Sequence, residues 1–310
     1  MNLQINTTLT NSELLVSVII PTYNHGHLIK KALSSLIDQT HKNWEAIVVN
    51  NYSEDNTIEV VESFDDKRIK IVNFHNNGSI AASRNIGIRD SRAEYIAFLD
   101  SDDYWYPKKL EKCLNKLKTD QADLCVNSEM IISNEKAIKP LKCGNKEQLS
   151  YFQLLFRGNC ISTSSVLIKK KCIDQVGGFN EDPQMVTAED YDLWLRMAKN
   201  NFSFTYVDEI LGGHLQHSTN SSSFVEKHHK AIVNVIESHF QQFPNNFKTS
   251  INKRIRYANL FYGTGRNATK QKQFSDSLSF YLKTFKNNPF KIKTYPAALV
   301  SLFKQLRKSI

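Results

Sequence analysis

From Val16 onward the chain alternates short apolar runs with stretches of helical periodicity, and that alternation constrains the fold more than any other feature. VSVII (Val16–Ile20) reads as a buried strand. In the following HLIKKALSSLIDQ, Leu28, Ala32, Leu33, Leu36 and Ile37 recur at helical spacing. WEAIVV (Trp44–Val49), a short helix around Thr57–Phe64, IKIVNF (Ile69–Phe74), the helix SIAASRNIGIRDS and YIAFL (Tyr95–Leu99) keep the rhythm. Such an order implies an α/β fold, a mostly parallel sheet covered by helices on both faces.

The rhythm loosens after Asp103. A helix is expected over Pro107–Lys118, with proline in its first turn, where the missing N–H costs nothing. Strands are expected at Asp123–Ile132, Ser165–Ile168 and Phe204–Leu211, and a helix at Glu189–Lys199. Beyond Ser221 the pattern is helical with no further strong strand, and STNSSS (Ser218–Ser223) reads as a loop. The expected organisation is an N-terminal tail (1–15), a sheet domain (16–220) and a basic helical C-terminal region (221–310).

A length of 310 residues with 41% hydrophobic content suits one large domain, or one domain plus an appendage. Apolar runs such as Ala297–Phe303 fall short of the roughly 18–20 residues that span a bilayer. The opening MNLQINTTLTNSELL has neither a basic n-region nor a long apolar h-region, so no signal peptide is read. Five cysteines, never spaced CxxC, argue against a disulfide framework or zinc site and fit a reducing cytosol. The net charge of +9 is uneven: Val225–Ile310 carries 16 Lys and Arg against three acids, Glu226, Glu237 and Asp276. Basic surfaces seek phosphates, although a solvated lysine-rich helical face is the plain alternative.

Ligands of open α/β sheets bind beyond the carboxyl ends of the strands. The first strand ends in Pro21, Thr22, Tyr23 and Asn24, the second in Asn50, Asn51 and Tyr52, the fourth in Asp100, Ser101 and Asp102. An aromatic ring, side-chain amides and carboxylates on one edge suit a planar base, a ribose and a metal-bound diphosphate. Three carboxylates within Asp100–Asp103, after an apolar run, are costly unless a cation relieves them. Asp100 and Asp102 could share Mg²⁺ or Mn²⁺ with substrate phosphates. A lone DxD is also a common turn or helix cap. In AEDYDLWLR the acids at the helix start gain about 0.3–1 kcal/mol from the helix dipole alone, while Leu193, Trp194 and Met197 read as core and Asp192 faces elsewhere. His25 and His27 read as cap or surface residues.

Six motifs, VSVIIPTYN, AIVVNNYSEDNT, NNGSIAASRNIGI, YIAFLDSDD, SSVLIKKKCIDQVGGFN and AEDYDLWLR, occur in order over roughly Val16–Leu211. Together they resemble the family 2 inverting glycosyltransferases with the GT-A fold. The resemblance implies that Pro21, Thr22 and Tyr23 form the base pocket, with Tyr23 against the ring. Where that family usually has two aspartates this chain has Asn50 and Asn51, whose amides accept an N–H but also donate, so uracil is favoured and thymine and guanine stay open. It further implies Arg84 near the nucleotide or diphosphate, Asp100 and Ser101 near the ribose or a metal-bound water, and Asp102 as direct ligand of Mn²⁺ or Mg²⁺. Asp190, with Glu189 as backup, would be the base; His217, or His214, would reach the metal or a phosphate.

The implied activity is metal-dependent inverting transfer of a sugar from a nucleotide diphosphate, a UDP-sugar in the first instance, to a hydroxyl of a glycan or lipid-linked acceptor, as in surface polysaccharide assembly. Acceptor-side residues would fall in the stretch Asn127–Asn159. No nucleic acid partner is expected, and the implied location is cytoplasmic with a peripheral contact at the inner face of the cell membrane. FKIKTYPAALVSLFKQLRKSI places Leu299, Leu302, Phe303 and Leu306 at helical spacing beside Lys304, Arg307 and Lys308, to lie on a membrane or to pack on the sheet domain. A single glycine in PTYNHGHL counts against a sugar-nucleotide pyrophosphorylase and a Rossmann dehydrogenase. A catalytically degenerate basic adaptor, binding anionic membrane or nucleic acid, is the other reading.

Overall fold

The strands with the longest apolar runs lie side by side, inside the edges of the sheet. The computed structural model describes residues 13–142, 146–216 and 225–308. β1 (Val16–Thr22), α1 (Gly26–Ile37), β2 (Trp44–Asn50), α2 (Thr57–Glu62), β3 (Ile69–Asn73), α3 (Ile80–Asp90) and β4 (Tyr95–Phe98) follow the expected alternation. β1 is parallel to β2 and β4, and β2 to β3, in registers that set Thr22 beside Asn50 and Asn50 beside Asn73. All carboxyl ends of this half therefore point to one edge.

The second half is mixed. It contains β5 (Tyr104–Trp105), α4 (Lys109–Thr119), β6 (Leu124–Ser133), β7 (Lys136–Leu141), β8 (Leu167–Lys169), α6 (Lys170–Val176), α7 (Glu189–Lys199) and β9 (Phe204–Leu215). Strand order is β3-β2-β1-β4-β8-β6-β9-β5, with β7 on β6. β6 and β9 are parallel, whereas β8 joins both β4 and β6 antiparallel, and β5 and β7 also pair antiparallel. Hence the parallel arrangement holds for β1–β4 and for β6 with β9, and the antiparallel joins lie between and outside them.

Both faces are covered. Val16, Val18 and Ile20 of β1 share a core with Ile29, Leu33 and Leu36 of α1. On the opposite face α3 crosses so closely that a Cβ on Gly87 would sit 2.4 Å from Ile19 Cγ2, which only glycine permits. α4 begins at Lys109, two residues later than Pro107 suggests, because the Pro107 carbonyl is engaged by Thr40 N (2.8 Å). Residues Thr163–Ser165 form a 3₁₀ turn and β8 starts only at Leu167, correcting the expected strand over Ser165–Ile168.

The chain divides into two compact units. The first takes residues up to 150 and 160–216 of those described. The second takes 151–159 and 225–308. It consists of α5 (Tyr151–Arg157), α8 (Val225–Phe240), α9 (Phe247–Lys270), α10 (Phe274–Asn287) and α11 (Thr294–Lys308). Phe156 packs on Phe240 and Phe243, and Arg256 Nε donates to Leu155 O (2.8 Å). Among the described residues no helix is long and apolar enough to cross a membrane.

Candidate active site

Parallel pairing carries three chemically distinct strand ends to one edge. At the end of β1, Thr22 is 5% exposed and its Oγ1 has no hydrogen-bond partner among the described residues, while Tyr23 is 49% exposed. A buried orphan hydroxyl beside an open ring is a place for a planar ligand with a polar edge. At the end of β2 the two amides differ. Asn50 is buried and used up locally: its Oδ1 accepts from Ser53 N (3.1 Å) and Ser53 Oγ (2.6 Å), and its Nδ2 donates to Asn73 Oδ1 (2.8 Å). Asn51 is half-buried, and its Oδ1 accepts from Asn76 N at 3.0 Å. Next to it Tyr52 adopts φ 53° and stacks on His75 with ring centroids 3.8 Å apart, a pair that no pattern in the sequence announces.

The acidic turn after β4 is held by three partners. Asp100 Oδ1 takes Arg84 Nη2 at 2.8 Å, and Asp100 N donates to Ser164 Oγ (3.1 Å). His25 stands at the N-cap position of α1, as the cap reading expects, and its Nδ1 lies 2.7 Å from Ser101 Oγ in the acidic turn. Asp103, 1% exposed, accepts from Ser164 Oγ (2.6 Å), from Leu215 N (2.9 Å) and from His214 Nδ1 (3.2 Å). That carboxylate ties the acidic turn to the 3₁₀ turn and to the end of β9. The charge of Asp103 outweighs partial burial and raises the His214 pKa to about 10, with smaller help from Glu129 and Asp102. Glu129, buried beside this group, is pushed up to about 7, first by desolvation and then by Asp103.

Arg84 is the link between the acidic turn and α7. Its side chain is 4% exposed, and its second nitrogen, Nη1, meets Glu189 Oε1 at 2.8 Å. Burial alone works against its charge, but Asp100 and Glu189 outweigh that and hold it protonated. The other oxygen of Glu189 accepts from Thr187 N (2.8 Å). Asp190, the next residue, accepts from Thr163 Oγ1 (3.3 Å) and Tyr191 N (2.6 Å). Desolvation first, then the charge of Glu189, raises its pKa to about 7 against the pull of Arg84. Asp192 turns away and pairs with Arg196, and Leu193, Trp194 and Met197 are buried.

Thr22, Tyr23, Asn51, Asp100 and Ser101 thus lie at the carboxyl ends of the strands, Arg84 joins Asp100 to Glu189 with Asp190 next to it, and Pro21 and Asn50 are buried. His217 lies outside the described residues. Sequence reasoning missed Asp103, Thr163 and Ser164; the first reads as one more acid of the turn, and the two hydroxyls sit within TSSV (163–166) with no spacing to mark them. Asp102 is half-buried and close enough to His214 to help raise its pKa. Among the described residues no three His, Cys, Asp or Glu side chains converge as a closed metal cage. The hard carboxylate oxygens of Asp102 suit a cation such as Mg²⁺ or Mn²⁺, which takes oxygen ligands.

Comparison with known proteins bears on the family and the fold. Residues 17–175 match the family model described as Glycosyl transferase family 2. An uncharacterized glycosyltransferase of Rickettsia felis is 37% identical over 240 residues, which are 73% of this chain and 38% of the relative. The chain therefore spans well under half of that relative's length. The UDP-Glc:alpha-D-GlcNAc-diphosphoundecaprenol beta-1,3-glucosyltransferase WfgD of Escherichia coli is 33% identical over 60% of this chain and 71% of its own. Among solved structures, S. aureus TarS 1-349 in complex with UDP-GlcNAc superposes with TM-score 0.66 at 16% identity, over 96% of this chain and 91% of that one, a likeness of fold.

Proposed function

The chain belongs to glycosyl transferase family 2, with a GT-A fold, and from that premise we propose an inverting transfer of a sugar from a UDP-sugar to a hydroxyl of a glycan or lipid-linked glycan. The observation that carries this reading is the Arg84 bridge: one guanidinium joins Asp100, on the donor edge of the sheet, to Glu189 at the start of α7. Beside it Asp190 keeps a carboxyl whose pKa of about 7 suits proton exchange near neutrality.

Each residue then has one task. Tyr23 covers the base, and Thr22 and Asn51 meet its polar edge. Asp102, with His217 as a candidate companion, would hold Mn²⁺ or Mg²⁺. The cation would neutralise charge on the departing diphosphate. Glu189, both oxygens occupied, positions the α7 start and does not move protons. The acceptor oxygen forms its bond to the anomeric carbon as the bond to the diphosphate breaks, with that electron pair leaving on the diphosphate. The acceptor proton passes to Asp190, on the face opposite the leaving group, and the sugar inverts.

WfgD, by its name, acts on a diphosphoundecaprenol-linked acceptor. That supports a lipid-linked acceptor here too, in surface polysaccharide assembly at the cytoplasmic face of a membrane. The test is incubation of the protein with UDP-, GDP- and dTDP-sugars and Mn²⁺. Release of the nucleoside diphosphate, greatest with a UDP-sugar, is expected. Donor binding without hydrolysis or transfer would instead return the adaptor reading.

A further inference from the structure

α11 is built inside out. Its fully buried positions carry hydroxyls, Thr294 and Ser301, both 0% exposed, with Ala297, Ala298 and Gln305 half-buried on the same face. Ser301 Oγ lies 2.9 Å from Ser277 Oγ of α10 and 2.8 Å from Thr269 Oγ1 of α9. Tyr281 Oη of α10 completes the group, 3.2 Å from Thr269 Oγ1. The outward positions carry the hydrocarbon, with Leu299 at 55%, Leu302 at 43%, Phe303 at 65% and Leu306 at 54% exposure. An amphipathic helix of a water-soluble unit places these the other way round. Phe290 (87%) and Ile292 (79%), just before α11, extend the apolar surface. A contiguous surface of this kind marks a contact with something apolar.

The surrounding charge indicates what that something is. From Asn288 to Lys308 there is no acid, and Lys291, Lys293, Lys304, Arg307 and Lys308 are basic. Beside α11 a cavity of about 440 Å³ is lined by Arg266 and Lys270 of α9, by Lys293, and by Tyr262, Thr269 and Tyr281, with Ala297 and Val300 on its α11 wall. No acid lines it, and none of the three cations has an ion pair among the described residues. Cations, phenols and a hydroxyl around an open cavity match a phosphate group, and apolar residues on the same wall match the acyl chains attached to one.

We infer that α11 and this cavity form a docking site for an anionic phospholipid leaflet, with the outward face of α11 lying in the interface and a lipid phosphate seated among Arg266, Lys270 and Lys293. At 15 residues the helix lies along the interface and does not span it. The site deepens the membrane-borne acceptor proposed above but uses no residue of the donor crevice. It is read without donor or acceptor, so failure of either proposal leaves the other standing.

The test is flotation of the full chain with vesicles of phosphatidylcholine alone or with a quarter phosphatidylglycerol. Binding is expected on the mixed vesicles at low salt, weakened by raising salt, and absent on phosphatidylcholine. Leu302→Ser with Phe303→Ser should reduce binding at least tenfold; both side chains are exposed, so the fold has no stake in them. Arg266→Gln with Lys293→Gln should cost a similar factor, while Lys67→Gln with Lys136→Gln, the same loss of charge on the other unit, should cost much less. Equal losses in the two charge pairs would reduce the site to bulk electrostatics and overturn it. So would failure to bind the mixed vesicles, or a Leu302/Phe303 variant that alters only self-association.

Discussion

Glu189 and Asp190 are neighbours in sequence and opposites in environment. Glu189 has one oxygen on Arg84 Nη1 and the other on Thr187 N, both at 2.8 Å. Asp190 is pushed up to about 7 by burial and by the fixed charge beside it. The locked carboxylate makes its neighbour the better proton acceptor, because a base with a pKa near the working pH both exists ionised and binds a proton. The same pairing makes the two acids unequal in hydrogen bonding.

Asp190→Asn should therefore lose roughly 10² to 10⁴ in turnover with donor affinity nearly unchanged. Its effect on stability has the opposite sign. The carboxyl titrates near 3.8 when unfolded and about 7 when folded, so the native state holds more protons between those values. Native stability falls as pH rises through that window, and Asn removes the dependence. The melting temperature of Asp190→Asn minus that of wild type should grow from pH 5 to pH 8. A Glu189→Gln variant that loses more turnover than Asp190→Asn would reverse the assignment.

Asp103 and Asp102 offer a second contrast between adjacent residues. Asp103 accepts from a hydroxyl, an imidazole and a backbone N–H, all at the joint of three chain segments. In Asp103→Asn one donor faces an NH₂, costing about 1–3 kcal/mol, or roughly 2–12 °C in melting temperature. Asp102→Asn, at a half-buried position, should stay within about 2 °C. Thermal melts of the two variants decide it; equal shifts would mean that Asp103 is not the joint.

These joints mark the boundary of what the sequence discloses. β1 to β4 are legible because buried parallel strands need unbroken apolar runs, and Val16–Ile20 or Trp44–Val49 supply them. Parallel pairing then forces their polar ends, Thr22, Asn51 and Asp100, to one edge. β7 is not legible: Lys136–Leu141 is mostly exposed and carries no alternation, and two-residue β5 is shorter than any pattern. Arg84 is legible as a cation in a motif, but its two partners lie 16 and 105 residues away and depend on how α3 and α7 meet. Periodicity shows which side chains are buried, not which donors meet which acceptors across the fold.

Asn51 can be tested through the base. Its Oδ1 is already held by Asn76 N at 3.0 Å, which leaves the NH₂ as the group able to turn to a ligand. Asn51→Asp keeps that bond and replaces the donor with a second acceptor, which an N–H of uracil can use. Competition between UDP and CDP, whose base has no N3–H, should shift toward UDP in the variant. A parallel Asn50→Ala, by contrast, removes the contacts to Ser53 and Asn73 and should lower stability while leaving the order of preference alone. Unchanged preference in Asn51→Asp would show that the residue does not read the base.

The last prediction concerns the cation. With Asp102 at the crevice and no closed cage of three ligands among the described residues, affinity for Mn²⁺ alone should be weak and should rise when a nucleoside diphosphate supplies phosphate oxygens. The dependence is reciprocal: whatever factor UDP adds to Mn²⁺ binding, Mn²⁺ adds to UDP binding. Calorimetric titration of UDP into wild type should thus show tighter binding with Mn²⁺ than with EDTA, and Asp102→Ala should show the same affinity in both. Turnover should fall with EDTA and return with Mn²⁺ or Mg²⁺ in wild type only. Wild-type protein that binds UDP equally with and without Mn²⁺, and keeps full turnover in EDTA, would remove the cation from the mechanism while leaving the fold and the Asp190 assignment untouched.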